Sequence, residues 1–352
     1  MAAKAEFALT RSVIAAGLAA RAYPAAAVEV GRASGPLWQE AFGRLRYEAD
    51  SAPTTLATIF DLASLTKVIA TTTLVMRQAS AGLLDLDRPV AHYWPDWGQG
   101  PQQAVTTRHL LDHSSGLPAH SRLWEGRRGR PEYYAAIRDM TLERAVGAAA
   151  VYSDLGFILL GFLLDDLGGR APDRQLHDEV RLLGLGGLQF RPPVEARSHI
   201  APTEFDAWRD RLLIGEVHDE NAAALDGVAG HAGLFGTVAD VGAFARIALE
   251  TFTRETPLGI PEVMRTFATR SAVPGSSRAL GWDTMLPTSS CGTRLSPEAI
   301  GHTGFTGTSV WIDPGQDLYV VLLTNRVHPS RTNEALRSIR PRVHDAVIED
   351  LR

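Results

Sequence analysis

The strand-forming stretches of this chain lie towards its two ends. Residues 25–32 and 37–43 read as strands joined by a turn at Ser34-Gly35-Pro36, a hairpin. Strand signals return only late, at 304–312 and 318–324, flanking an Asp313-Pro314-Gly315 turn. Between the two hairpins the patterns are helical. A sheet face must be buried against another layer, so the two ends are expected to meet. The expected fold class is α/β (α+β): one antiparallel sheet from both termini, flanked by helices, with an inserted, mainly helical region. In residue terms, 1–58 and 232–352 form the sheet domain and 59–231 the helical one, with the functional site at their junction.

The helical patterns begin with residues 12–20, which after Lys4 and Arg11 imitate a short secretory leader. Glu6 and the strand that follows at once argue instead for a first amphipathic helix, hence a cytoplasmic protein, with a periplasmic or secreted one as the alternative. An apolar run from Ser64 to residue 81 has Asp61 or Ser64 as a cap and Gly82 as a stop. Residues 84–100 form a loop with tryptophan anchors, and a short helix runs from Thr106 to Leu111. Further helices are expected at 131–148, 153–167 (apolar nearly all round, hence buried) and 172–183. Thr237 and Asp240 make a capping box before a helix at 238–252, and Pro341 is expected to kink a last helix at 333–351. Residues 191–227, rich in Pro, Asp and Glu, read as a long surface excursion.

Ser64 and Lys67, three residues apart, share one helical face. A serine at a helix N-terminus beside an amine has the makings of a nucleophile, because the dipole favours its alkoxide and a neighbouring base can take its proton. Composition sharpens this reading. Of 35 basic residues only Lys4 and Lys67 are lysines, the rest being arginine. Guanidinium cannot act as a base near neutral pH, whereas a buried lysine can lose its proton.

Two more motifs stand where a serine hydrolase needs them. Val151-Tyr152-Ser153-Asp154 puts a phenol just before the buried helix. Gly301-His302-Thr303-Gly304-Phe305-Thr306-Gly307 opens the late hairpin with glycines that permit close backbone approach. With these three motifs the chain resembles the β-lactamase and penicillin-binding-protein-like serine hydrolases: class C β-lactamases, D-alanyl-D-alanine carboxypeptidases and related esterases. The resemblance extends through residues 107–117, 227–235 and 323–329 and implies a β-lactamase/transpeptidase-like fold. It assigns Ser64 to attack on a carbonyl, and Lys67 or Tyr152 to take the proton. The backbone N–H groups of Ser64 and Phe305 would hold the oxyanion, the second from a strand. His302, in a His302-Thr303-Gly304 triplet, would replace a permanent cation by a titratable one. In related enzymes the stretch matching 327–333 recognises a carboxylate, so Arg331 and Asn333 are candidate substrate-binding residues. One departure matters: where the family usually has Tyr-x-Asn, this chain has Asp154. An ionised aspartate cannot donate to a substrate amide carbonyl, but it can pair with Lys67.

The expected activity is therefore hydrolysis of an ester, amide or peptide, as a carboxylesterase or D-amino-acid-type peptidase. A β-lactamase or a penicillin-binding protein without turnover is the alternative. No cofactor is expected. His109 and His113 are four apart, but no Glu follows His109, so the zinc-protease pattern fails and no metal is expected. A net charge of −5 with dispersed arginines speaks against a nucleic-acid partner, and no apolar run has the length of a membrane span. The single cysteine, Cys291, leaves no room for an internal disulfide. His231, in Gly-His-Ala-Gly, reads as a loop-packing histidine.

Overall fold

A computed structural model describes residues 6–352; Lys4 lies outside them. Six antiparallel strands form the main sheet, in the order Gly35–Gly43, Ala25–Arg32, Leu318–Thr324, Ser309–Asp313, Ile300–Thr303, Asp283–Thr284. The two ends of the chain meet at its centre, where Val28 pairs with Leu322 and Val30 with Val320.

Side-chain alternation explains why both faces of this sheet are covered. On Leu318–Thr324, Leu318, Val320 and Leu322 enter one core, while Tyr319, Val321 and Leu323 enter the other. The first core is closed by helices Ala8–Ala19 and Leu336–Asp350, through Ile14, Val343 and Val347. The second is closed by Val238–Thr251, through Val241, Phe244 and Ala245, and runs on into the helical region. There the helix Asp154–Gly168 buries every residue from Leu155 to Leu164. No helix among the described residues is long and apolar enough to cross a membrane.

Several local expectations need correction. The first hairpin turns at Ala33-Ser34, with Arg32 opposite Gly35, and the first helix starts earlier, at Ala8. Residues 304–312 are not one strand. Ile300–Thr303 and Ser309–Asp313 are separated by a turn in which Gly304 N–H bonds Thr308 O at 2.8 Å. The helix expected at 131–148 is Gly129–Arg138, since residues 143 and 147 spend their N–H groups on Gly116 and Ser114. The last helix is Leu336–Asp350 and carries Pro341 inside it. Residues 191–227 are more than a surface excursion, for Glu204, Asp206, His218 and Asn221 are all buried.

Candidate active site

The turn before Ser64 is shaped by Asp61. Its Oδ1 accepts the Ala63 N–H at 2.8 Å and its Oδ2 the His218 N–H at 2.7 Å, so it organises the turn and leaves the helix uncapped. Ala63 takes φ 47°, a left-handed conformation uncommon for a residue with a Cβ. Across the turn, Thr306 Oγ1 donates to Asp61 O at 2.7 Å and Thr308 Oγ1 to Leu62 O at 3.0 Å. The 304–308 turn is thereby fastened to the Ser64 turn. A Cβ on Gly304 would fall 2.6 Å from Leu62 O, so glycine is required at this junction. Among the described residues neither the Ser64 nor the Phe305 N–H has a hydrogen-bond partner. Phe305 thus offers its N–H from a turn and not, as expected, from a strand.

The helix after Ser64 opens with wider, π-type turns over Lys67–Thr72 and continues as an α-helix, Thr73–Ser80. Such turns recur at functional sites. Lys67 is fully buried, and its Nζ donates to Ser64 Oγ at 3.0 Å, Asp154 Oδ1 at 2.8 Å and His231 O at 3.0 Å. An ammonium has three donors, and all three are used. Burial alone pulls the Lys67 pKa down, but Asp154 and Tyr152 outweigh it, and the net shift is upward. Asp154 is held far below the usual carboxylate range: burial opposes ionisation, and Lys67 and His120 overcome it. His231 contributes its carbonyl, while its ring Nε2 pairs with Asp219 Oδ1 at 2.8 Å.

Tyr152 stands over this group, its ring centroid 5.0 Å from Lys67 Nζ. Burial raises its phenol above the ordinary value, opposed by Lys67. His302 departs from expectation. Its Nδ1–H donates to Thr303 O at 2.9 Å, its ring is buried, and burial with the nearby Arg278 and Lys67 charges pushes its pKa well below the ordinary value. These surroundings favour the neutral imidazole.

The cation at this position is instead Arg278, which the sequence reading passed over. Its guanidinium carbon lies 5.0 Å from the Tyr152 ring centroid, and among the described residues the guanidinium has no acceptor. Arg278 lines a cleft of about 410 Å³ together with Ser64, Tyr152, His302, Thr303, Gly304, Phe305 and Arg326. Arg326 braces the turn by donating to Phe305 O at 2.8 Å. The expected carboxylate-reading pair lies elsewhere. Arg331 is bound to Glu204 and, at 2.8 Å, to Glu220, both from the 191–227 segment. Asn333 accepts the Ala335 N–H at 3.1 Å, just before the last helix, and donates to Arg21 O at 2.9 Å.

The fold is that of β-lactamases and penicillin-binding proteins. A class C β-lactamase from Rhodobacter sphaeroides superposes with a TM-score of 0.77 at 19% identity, over 98% of this chain and 99% of that one. EstCE1, a hydrolase with promiscuous acyltransferase activity, gives 0.75 at 20% identity, over 96% and 97%. In sequence, a protein of Escherichia coli (strain K12) named "Putative D-alanyl-D-alanine carboxypeptidase" is 32% identical over 78% of this chain and 70% of its own length. Residues 10–343 match the family described as Beta-lactamase, and the chain belongs to that family.

Proposed function

We propose that the protein hydrolyses an ester or amide through an acyl-serine formed at Ser64. The observation that carries this reading is the single ammonium of Lys67 shared between Ser64 Oγ and Asp154 Oδ1. With all three donors committed, Lys67 acts as a fixed charge. The Ser64 proton passes to the phenolate form of Tyr152 as Oγ attacks the carbonyl carbon, and returns from Tyr152 to the leaving group. The N–H groups of Ser64 and Phe305 face the developing oxyanion. Water then repeats the sequence in reverse and frees the acid. The split of the chain at 58/59 and 231/232 is part of this proposal, with the Ser64 motif on one side and the His302 motif on the other.

Arg278 favours a substrate with a free carboxylate, such as a peptide ending in a D-amino acid, over a neutral ester. The named carboxypeptidase relative supports the same choice. Asp154, ionised and bonded to Lys67, has no N–H for a substrate amide, which speaks against efficient β-lactam turnover. Intact-mass spectrometry after incubation with a fluorophosphonate, a penicillin, a p-nitrophenyl ester and a D-alanine-terminated peptide tests the reading, with Ser64→Ala beside the wild type. A Ser64-dependent adduct with product release from ester and peptide is expected. Undiminished turnover in Ser64→Ala would overturn it, and a permanent adduct without product would make the protein a binder.

A further inference from the structure

His113 occupies a position where a glycine would be the ordinary choice. It follows the helix Thr107–Leu111 and its C-cap Asp112, and adopts φ 62°. The Ser114 N–H then closes the helix end on His109 O at 2.9 Å, the Schellman arrangement that glycine usually serves. A histidine held there in the left-handed region has another task, and its contacts name it. The His113 carbonyl accepts the Val151 N–H at 2.8 Å, and its ring Nδ1 accepts the Ser153 N–H at 3.1 Å. One residue therefore grips the backbone on both sides of Tyr152. Between the two grips its ring packs against the Tyr152 ring, with centroids 4.6 Å apart.

We propose that His113 is a positioning residue that fixes the Tyr152 phenol in register with Ser64 and Lys67. The proposal rests on the reading of Tyr152 given above. Because Nδ1 accepts a hydrogen bond, the ring's proton sits on Nε2 and the imidazole must be neutral. Its surroundings favour that: the ring is buried, the Arg278 and Lys67 charges face it from two other segments beside the uncharged His302 ring, and Asp154 is the opposing charge. The mechanism asks no proton of it. What it supplies is placement, and a displacement of about 1 Å at a proton-transfer partner costs on the order of a hundredfold in rate.

Two substitutions separate the acceptor from the bulk. His113→Phe keeps a ring against Tyr152 and removes the acceptor. His113→Asn keeps an acceptor near the Nδ1 position and tolerates the left-handed backbone. Steady-state kinetics on a p-nitrophenyl ester, thermal melting, and amide hydrogen exchange over residues 151–154 are measured for both. In His113→Phe, kcat is expected to fall by ~10- to 100-fold with KM little changed, and exchange at Ser153 to quicken. In His113→Asn, kcat is expected to stay within about threefold of wild type, with exchange protected. Equal kcat in the two variants, or unchanged exchange in His113→Phe, would overturn the proposal. If His113→Phe does not fold, His113→Asn decides alone, and a hundredfold loss of kcat at unchanged melting temperature would overturn it. The exchange readout is independent of turnover, so it separates failure of the clamp from failure of the hydrolase reading, which Ser64→Ala tests.

Discussion

Lys67 Nζ and Asp154 Oδ1 meet at 2.8 Å, joining residues 87 positions apart, with the lysine side chain wholly out of solvent. The pair neutralises a buried charge beside Ser64 and makes the lysine an obligate cation.

The pair sets a pH dependence of stability. Asp154 has a folded pKa below its unfolded value of about 3.9, so its contribution is present above that value and is lost as pH falls through the folded one. Asp154→Asn leaves Lys67 without its counter-ion and should cost about 3 kcal/mol at pH 7. Urea unfolding at pH 7 and pH 3 checks this. The gap between wild type and variant should narrow at the lower pH, and a gap independent of pH would refute the assignment.

Lys67→Arg should be nearly as damaging to turnover as Lys67→Ala. The guanidinium is planar and longer, and it cannot direct donors at once to Ser64 Oγ, Asp154 Oδ1 and His231 O. Rates for both variants on one ester suffice. A near-normal arginine variant would mean that charge alone is needed.

The activity should rise with pH. Burial shifts Tyr152 above its ordinary value, and it must lose its proton to serve as base while Lys67 stays charged. Between pH 6 and 9, kcat/KM should climb, approaching about tenfold per unit. A plateau beginning near pH 7 would point to a different base; His120, 3.8 Å from Asp154 and shifted upward by it, is the residue to test next.

Arg278 and Arg331 should behave differently. Arg278→Ala should lower kcat/KM for a D-alanine-terminated peptide by ~10- to 100-fold, the worth of one charge-assisted contact, and hardly affect a neutral ester. Arg331→Ala should affect both substrates alike, because it loosens Glu204 and Glu220 and makes no contact in the cleft. Reversed patterns would restore Arg331 to substrate recognition.

The strands of the two end hairpins were legible because they have the right period and sit beside turn residues, whereas Ile300–Thr303 and Asp283–Thr284 are too short to carry a period. Ser64, Lys67 and Tyr152 were legible as candidates because each motif lies at a helix start. Arg278 was not legible, being one arginine among many in a loop without periodicity. Only the chain's path over Tyr152 distinguishes it. Arg331 misled for the converse reason, since its neighbourhood in sequence suggested a role that Glu204 and Glu220 take up in space. The 191–227 segment has a polar composition, yet its polar groups find partners inside, as His218 does with Glu204 at 3.1 Å, and such pairing leaves no trace in a hydrophobicity pattern.

The strand Ala25–Arg32 is seated against one near the other end of the chain, and the Ala25 N–H closes on Asn325 Oδ1 across 300 positions. Contacts so distant in sequence form late, since the entropy of closing the loop must be met before they reward it. The Phe305 amide reaches Ser64 only through the hairpin that this late step docks. On the proposed reading, a half-folded chain would carry a serine and a lysine but no complete oxyanion site, and hydrolytic power would arrive only at the end of folding. In reverse, loss of activity should precede loss of helical circular dichroism on gentle denaturation, which makes the reaction a sensitive reporter of the sheet's integrity.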